Sequence, residues 1–184
     1  SASAAGISSE TLNRYVELSK GFKSKKGIKR HMFIPADDAD ALHEFREKHS
    51  DTDVYQSTFQ YLCDRLPDKN VTRFCPKSGD FIIELEDETG DQSENVENAL
   101  AAARSCVETI ENALKMPRSA ITPYFNGNKS VYLSIPQNAL GIPDCVELNL
   151  IYERLARHIA GHMPEECQSA VDMNLYNHDR PLRI

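Results

Sequence analysis

Glu84 and Glu86 are the first residues in this chain whose types and spacing suggest chemistry. In an extended strand, positions two apart share a face, which sets these carboxylates ~6.5–7 Å apart along it. Like charges held side by side call for water or a cation between them, and oxygen-rich pairs of this kind suit Mg²⁺ or Mn²⁺. A plainer reading is an exposed strand face running into an acidic turn, since seven of the fourteen residues from Glu84 to Glu97 are acidic. Further on, Asn126-Gly127-Asn128-Lys129-Ser130 leads into Val131-Tyr132-Leu133. A small polar turn of this type can offer backbone N–H groups, a lysine and a hydroxyl to phosphate, or simply join two strands. A third carboxylate, Asp172, lies in an alternating stretch and is followed by Arg180 and Arg183. Guanidinium groups pair with phosphate oxygens in a fork geometry.

These groups need elements to position them. Asp80 to Glu86 alternates as a strand, with Phe81, Ile83 and Leu85 on one face and Ile82, Glu84 and Glu86 on the other. A helix from about Ser93 to Leu114 follows, its apolar positions Val96, Leu100, Ala103, Val107, Ile110 and Leu114 recurring at helical spacing. Asp91 with Glu94, or Ser93, supplies its cap, and Pro117 ends it. Ile121 to Phe125 and Ser130 to Pro136 read as two strands joined at Asn126-Gly127. Pro143-Asp144 starts a second helix, which runs through Val146, Leu148, Ile151, Leu155 and Ile159 to Gly161. Val171 to Tyr176 alternates as a closing strand, with Asp172 facing outward.

Towards the N-terminus, residues 1–30 are polar, and six of the eleven from Lys20 to Arg30 are basic. His31 to Ile34 is a short strand, Asp37 to Lys48 a short amphipathic helix, and Val54 to Leu62 an apolar segment. The expected organisation is a basic N-terminal segment with a small α/β element over 1–50 and a larger α+β core over 51–184. That core has a mixed or antiparallel sheet with packed helices. The chain opens Ser1-Ala2-Ser3 without Met and stops at Ile184, so it reads as a piece truncated at its C-terminus.

Composition narrows the classes. With 184 residues, 40% hydrophobic, 27% charged and only 8 Gly, the chain is neither fibrous nor wholly disordered. No apolar run approaches the ~18 residues of a membrane span. The net charge of -7 argues against a generic nucleic-acid coat without excluding a local basic groove. Cys63, Cys75, Cys106, Cys145 and Cys167 form no CxxC pair, so reduced thiols in an intracellular protein are expected rather than a disulfide scaffold. His158 and His162, four apart with Cys167 beyond, fit either a zinc site or two surface histidines near a helix end.

Taken in order, the segments resemble the catalytic core of the archaeo-eukaryotic primase superfamily, the primase-polymerases. The matching stretches are Phe81-Ile82-Ile83-Glu84-Leu85-Glu86-Asp87, then Asn126-Gly127-Asn128-Lys129-Ser130-Val131-Tyr132-Leu133, then Val171-Asp172 through Tyr176 to Arg180 and Arg183. The last resembles the V-D-x-x-x-Y-x-x-x-R-x-x-R pattern of the eukaryotic and herpesvirus-type branch. The resemblance covers roughly Val54 to Ile184. Two residues depart from the family pattern: Glu84 stands where Asp is usual, and Tyr132 where the family has His.

The resemblance implies an RNA-recognition-motif-like primase core acting as a DNA primase or polymerase. Glu84, Glu86 and Asp172 would be the catalytic metal ligands for Mg²⁺ or Mn²⁺. One ion would activate the attacking hydroxyl, and both would steady the triphosphate. Lys129, Ser130, Tyr132 and Arg180 would contact the nucleotide. Nucleoside triphosphates, a DNA template and primer, and replication proteins such as a helicase are the implied partners, with no membrane. The location would be cytoplasmic in a prokaryote or virus-infected cell, or nuclear in a eukaryote. The alternative is a degenerate primase-like module that keeps a nucleic-acid or protein surface, with Tyr132 stacking on a base.

Overall fold

Charged residues interleave with apolar ones in Asn13–Lys20, yet this segment forms β1 and is buried from Tyr15 to Ser19. In the computed structural model, which describes residues 12–20, 29–49, 54–87, 89–125, 129–177 and 181–183, the chain divides into two units. One is Ser1–Ser78 with Pro181–Ile184; the other is Gly79–Arg180. The expected Asn126-Gly127 turn, Arg180 and most of the basic run after Lys20 lie outside the described residues.

The first unit is built on β1, which pairs antiparallel with β2 (Lys29–Pro35) on one side. On the other side it pairs with β3 (Val54–Ser57) and β4 (Gln60–Cys63), each taking one end of the strand. Between β3 and β4, Ser57 Oγ bridges the break. It accepts from Glu17 N at 3.0 Å and donates to Phe59 O at 2.6 Å, so the central backbone donor is satisfied where the ladder is interrupted. A polar leading segment was expected here. Side chains on both faces of β1 are buried from Tyr15 to Ser19, Glu17 and Ser19 included, so no apolar–polar alternation marks the strand. The helix α1 (Ala39–Lys48), capped by Asp38, buries none of its residues.

The unit also corrects the expectation of reduced cysteines, because Cys63 and Cys75 are joined as a disulfide. The register explains it. β4 pairs with β5 (Lys77–Ser78) so that Tyr61 faces Lys77, and two residues further along each strand Cys63 meets Cys75 with Cα atoms 5.9 Å apart. That spacing lies within the normal reach of the bond. Tyr15, Tyr61 and Phe33 pack around the pair.

The second unit holds a three-stranded antiparallel sheet in the order β6-β8-β7, with β6 at Phe81–Leu85, β7 at Thr122–Phe125 and β8 at Val131–Ile135. Cross-strand partners share a face. Phe81, Ile83 and Leu85 therefore lie on the same side as their partners Ile135, Leu133 and Val131, and all six are buried. Against β6 and β8 packs α2 (Gln92–Leu114), and α3 (Leu148–Ala160) packs on α2. Asp91 forms a full capping box with Glu94 at the start of α2, and Lys115 closes the helix in the left-handed region at φ 54°.

Two details differ from the sequence pattern. The buried stripe of α2 is Ala99, Ala102, Ala103, Cys106, Thr109 and Ile110, while Leu100 is 41% exposed. Small side chains let the helix approach the sheet closely; Leu100 and Val107 then flank a groove of about 400 Å³ beside Ile121 and Pro123. Nor do residues 143–147 join the second helix, which begins at Leu148. The observed class is α+β with antiparallel sheets and packed helices.

Candidate functional site

The polar face of the second unit's sheet carries a row of side chains fixed by register. Glu84 on β6 pairs with Tyr132 on β8, and Tyr132 pairs with Tyr124 on β7. Tyr132 Oη donates to Glu84 Oε1 at 2.9 Å. Its ring stacks on Tyr124 at 5.0 Å between centroids and 14° between planes. Glu84 is 4% exposed and Tyr132 8%, whereas Tyr124 is 40% exposed. A buried carboxylate requires hydrogen-bond donors, and the phenol supplies one.

One step along the same face stand Glu86, Ser130 and Lys129. Glu86 Oε2 accepts from Ser130 Oγ at 3.2 Å and pairs with Lys129 Nζ at 3.3 Å. This oxygen therefore gathers a hydroxyl and a cation from the segment that precedes β8. An open cleft of about 620 Å³ borders Glu86, with Asp87, Asn98, Glu166 and Cys167 among its walls. The carboxyl of Asp87 is held below its ordinary range by the Thr89 hydroxyl, then by the Thr89 backbone N–H and by Asn98.

Asp172 reaches the site by a route that differs from the expected strand. Val171 makes an isolated antiparallel bridge to Leu85. Around it Glu86 N donates to Ala170 O and Asp172 N donates to Glu84 O, both at 2.9 Å. The bridge places Asp172 across from Glu84. Immediately afterwards the backbone turns into a 3₁₀ helix, Met173–Tyr176, capped by Asp172 Oδ1 accepting from Asn174 N at 2.9 Å. Strand pairing thus stops at one residue, because the Asp172 cap satisfies the next backbone donor locally. Leu175 and Tyr176 are both buried, and Tyr176 Oη donates to Ile82 O at 2.8 Å, so the outward face expected for Tyr176 is not realised.

The three sequence-distant segments therefore meet at β6. Glu84, Glu86, Asp172, Lys129, Ser130 and Tyr132 all lie on or beside its polar face. Each carboxylate gives at least one oxygen to a protein donor: Glu84 to Tyr132, Glu86 to Ser130 and Lys129, Asp172 to its own turn. Three carboxylates from adjacent backbone are the right donor chemistry for Mg²⁺ or Mn²⁺. Among the described residues, however, no three His, Cys, Asp or Glu side chains are gathered closely enough to hold a metal ion.

That result also covers the histidine pair. The rings of His158 and His162 lie 4.4 Å apart, and His162 Nδ1 is 2.8 Å from His158 O, so the two behave as neighbouring exposed residues at a helix end.

Tyr124 is the residue that sequence reasoning passed over. Its strand was expected, but its place over Tyr132 depends on the β7–β8 register, which spacing alone does not supply. Burial, followed by the charges of Glu84 and Asp80, pushes the Tyr124 phenol up to about 12. Asp80 lies nearby on the exposed edge, where its Oδ2 accepts from Ser134 Oγ at 3.2 Å.

Among the described residues no helix is long and apolar enough to cross a membrane. No protein-family model matches the chain, and no curated protein matches it.

Proposed function

We propose that this chain is the core of a DNA primase-polymerase type nucleotidyltransferase, with an RNA-recognition-motif-like arrangement of β6, β8, β7, α2 and α3. In this reading it binds a nucleoside triphosphate with Mg²⁺ or Mn²⁺ and acts on a DNA template and primer alongside other replication proteins. The observation that carries the proposal is the convergence on β6: Ser130 and Lys129 on Glu86, and the backbone of Asp172 on Glu84. Two carboxylate residues, a hydroxyl–lysine pair and a third carboxylate from distant segments form one polar face over an apolar core.

In this reading Glu84, Glu86 and Asp172 would have to draw together from their present protein partners to hold the divalent cation, which would supply charge neutralisation of the triphosphate and polarisation of the attacking hydroxyl. Lys129 and Ser130 contribute a positive charge and a hydroxyl donor for phosphate oxygens, exchanging their present contact with Glu86 for the nucleotide. The floor formed by Phe81, Ile83, Leu85 and α2 keeps the backbone of β6 fixed, and such positioning is the main service a phosphoryl-transfer site performs. The test is binding of a nucleoside triphosphate with and without divalent metal. Metal-dependent binding lost in Glu86→Ala and in Asp172→Ala supports the proposal; binding that persists unchanged in both variants overturns it.

A second reading rests on one observation, the hydrogen bond from Tyr132 to Glu84. It engages a proposed metal ligand with a protein donor, as a module that had lost chemistry and kept a nucleic-acid surface would. Tyr132 itself is buried, with Tyr124 stacked on its ring, so it is not the surface on which a base would lie. This reading predicts DNA binding indifferent to EDTA, and loss of that binding on chelation excludes it.

A further inference from the structure

The groove beside Leu100 and Val107, the disulfide pair and the exposed ring of Tyr124 take no part in the site proposed above. The groove is apolar, and nothing in the structure says what covers it. Tyr124 has one ring face in a defined stack and is 40% exposed.

One face of the Tyr124 ring is stacked on Tyr132, which is pinned by its hydroxyl to the buried Glu84. The platform is thus held on its inner side by a stack, a hydrogen bond and a strand register rather than by its own rotamer alone. The ring is 40% exposed, on an edge strand whose four residues are all exposed. A rigid aromatic surface with one face stacked and part of its ring open to solvent is what a planar ring needs as a stacking partner.

The surroundings give the platform a direction. Towards one end of the face, Asp80 and Ser134 form an acidic edge. Towards the other, just ahead of β8 and two residues from Tyr132, stand Ser130, which is buried, and then Lys129, both now in contact with Glu86. A nucleotide is a planar ring at one end and a polyanion at the other. Among the described residues the Asp80 end offers a phosphate no cation, whereas at the other end Lys129, now paired with Glu86, and the divalent cation proposed above supply positive charge. Tyr124 and Ser130 stand on neighbouring chain segments two residues apart in register, a diagonal of about 7–8 Å, which leaves room for a sugar between ring and phosphates.

We infer that the exposed face of Tyr124 is the base-stacking platform of this site, with the nucleobase on Tyr124 and the phosphates running along β8 to Ser130 and Lys129. The inference rests on the nucleotide-binding reading above and adds to it the residue that holds the base. Tyr124 and Tyr132 act as a stacked pair, the buried ring fixing the exposed one. Since stacking is tolerant of base identity, the platform contributes affinity for the ring and little choice among bases.

The chain has no tryptophan and 7 tyrosines, so its ultraviolet emission reports tyrosine alone and a base laid on Tyr124 quenches part of it. The probes are ATP and inorganic triphosphate, each with Mg²⁺. Wild type is expected to bind ATP more tightly than inorganic triphosphate. Tyr124→Ala is expected to weaken ATP about tenfold. The same variant should leave inorganic triphosphate unchanged, and Tyr124→Phe should keep wild-type affinity for both because the ring remains. If ATP and inorganic triphosphate bind wild type equally, or Tyr124→Ala binds ATP like wild type, the platform is overturned while the nucleotide-binding reading stands. If wild type binds neither probe, that reading falls and the platform with it. Far-ultraviolet circular dichroism of Tyr124→Ala separates a lost contact from a lost fold.

Discussion

Tyr132 and Glu84 face each other across the β6–β8 ladder, and the phenol donates to the carboxylate at 2.9 Å with both side chains buried. The pair does two things at once. It satisfies a carboxylate on the polar face of the sheet, and it orients the ring on which Tyr124 stacks.

Removing only the hydroxyl isolates the first effect. Tyr132→Phe keeps the ring and leaves Glu84 without this donor. A buried polar group deprived of its partner costs about 1–3 kcal/mol. Denaturant unfolding of the variant should show a lower midpoint with an unchanged slope. An unchanged midpoint would mean that other donors fully support Glu84.

The Cys63–Cys75 bond gives a prediction for the other unit. It closes a segment with a sequence separation of 12. For a loop of that size, chain-entropy arguments assign about 3 kcal/mol to the cross-link. Reduction with dithiothreitol, or the double change Cys63→Ser with Cys75→Ser, should lower stability by roughly that amount. Mass spectrometry after alkylation without reductant should find Cys63 and Cys75 protected. Alkylation of both in the folded, unreduced protein would refute the bond.

Alkaline pH offers a third check. The Tyr124 phenol is raised from 10.0 to about 12 by burial and then by Glu84 and Asp80. Tyr176 is raised well above its ordinary value by burial, then by the charges of Cys106, Asp172 and Glu84. A raised phenol pKa means that the folded state favours the neutral form. The associated stability is fully present below pH 10 and is lost as pH climbs from there through about 12. Phenolate absorbance should therefore show a late-titrating fraction in the folded protein, smaller by one residue in Tyr124→Phe. Titration of all tyrosines together near their ordinary value would contradict the placement of these rings.

Much of the site's framework was legible because its strand is half buried. The alternation from Phe81 to Glu86 separates an apolar floor from a polar face, and the structure keeps that separation. The 3.6-residue period located α2, although it selected Leu100 over the smaller Ala99 and Ala102 that face the core. Apolar size misleads where close packing needs small side chains. Val171, Met173 and Leu175 alternate as a strand would, yet the Asp172 cap converts all but one bridge into a 3₁₀ turn. β1 was hidden because Glu17 and Ser19, polar residues, are buried in it along with its apolar ones, which erases the alternation. The Cys63–Cys75 bond and the Tyr124–Tyr132 stack share one reason for being missed: both are products of strand register, which local spacing does not encode.

The most direct test of the central claim is calorimetric titration of a nucleoside triphosphate with Mn²⁺ into wild type and into Asp172→Ala. The account predicts saturable binding to wild type that vanishes with EDTA and is reduced at least about tenfold in Asp172→Ala, the loss expected when a metal ligand is removed. Binding of equal strength in both proteins, or binding by wild type that EDTA leaves intact, would contradict it.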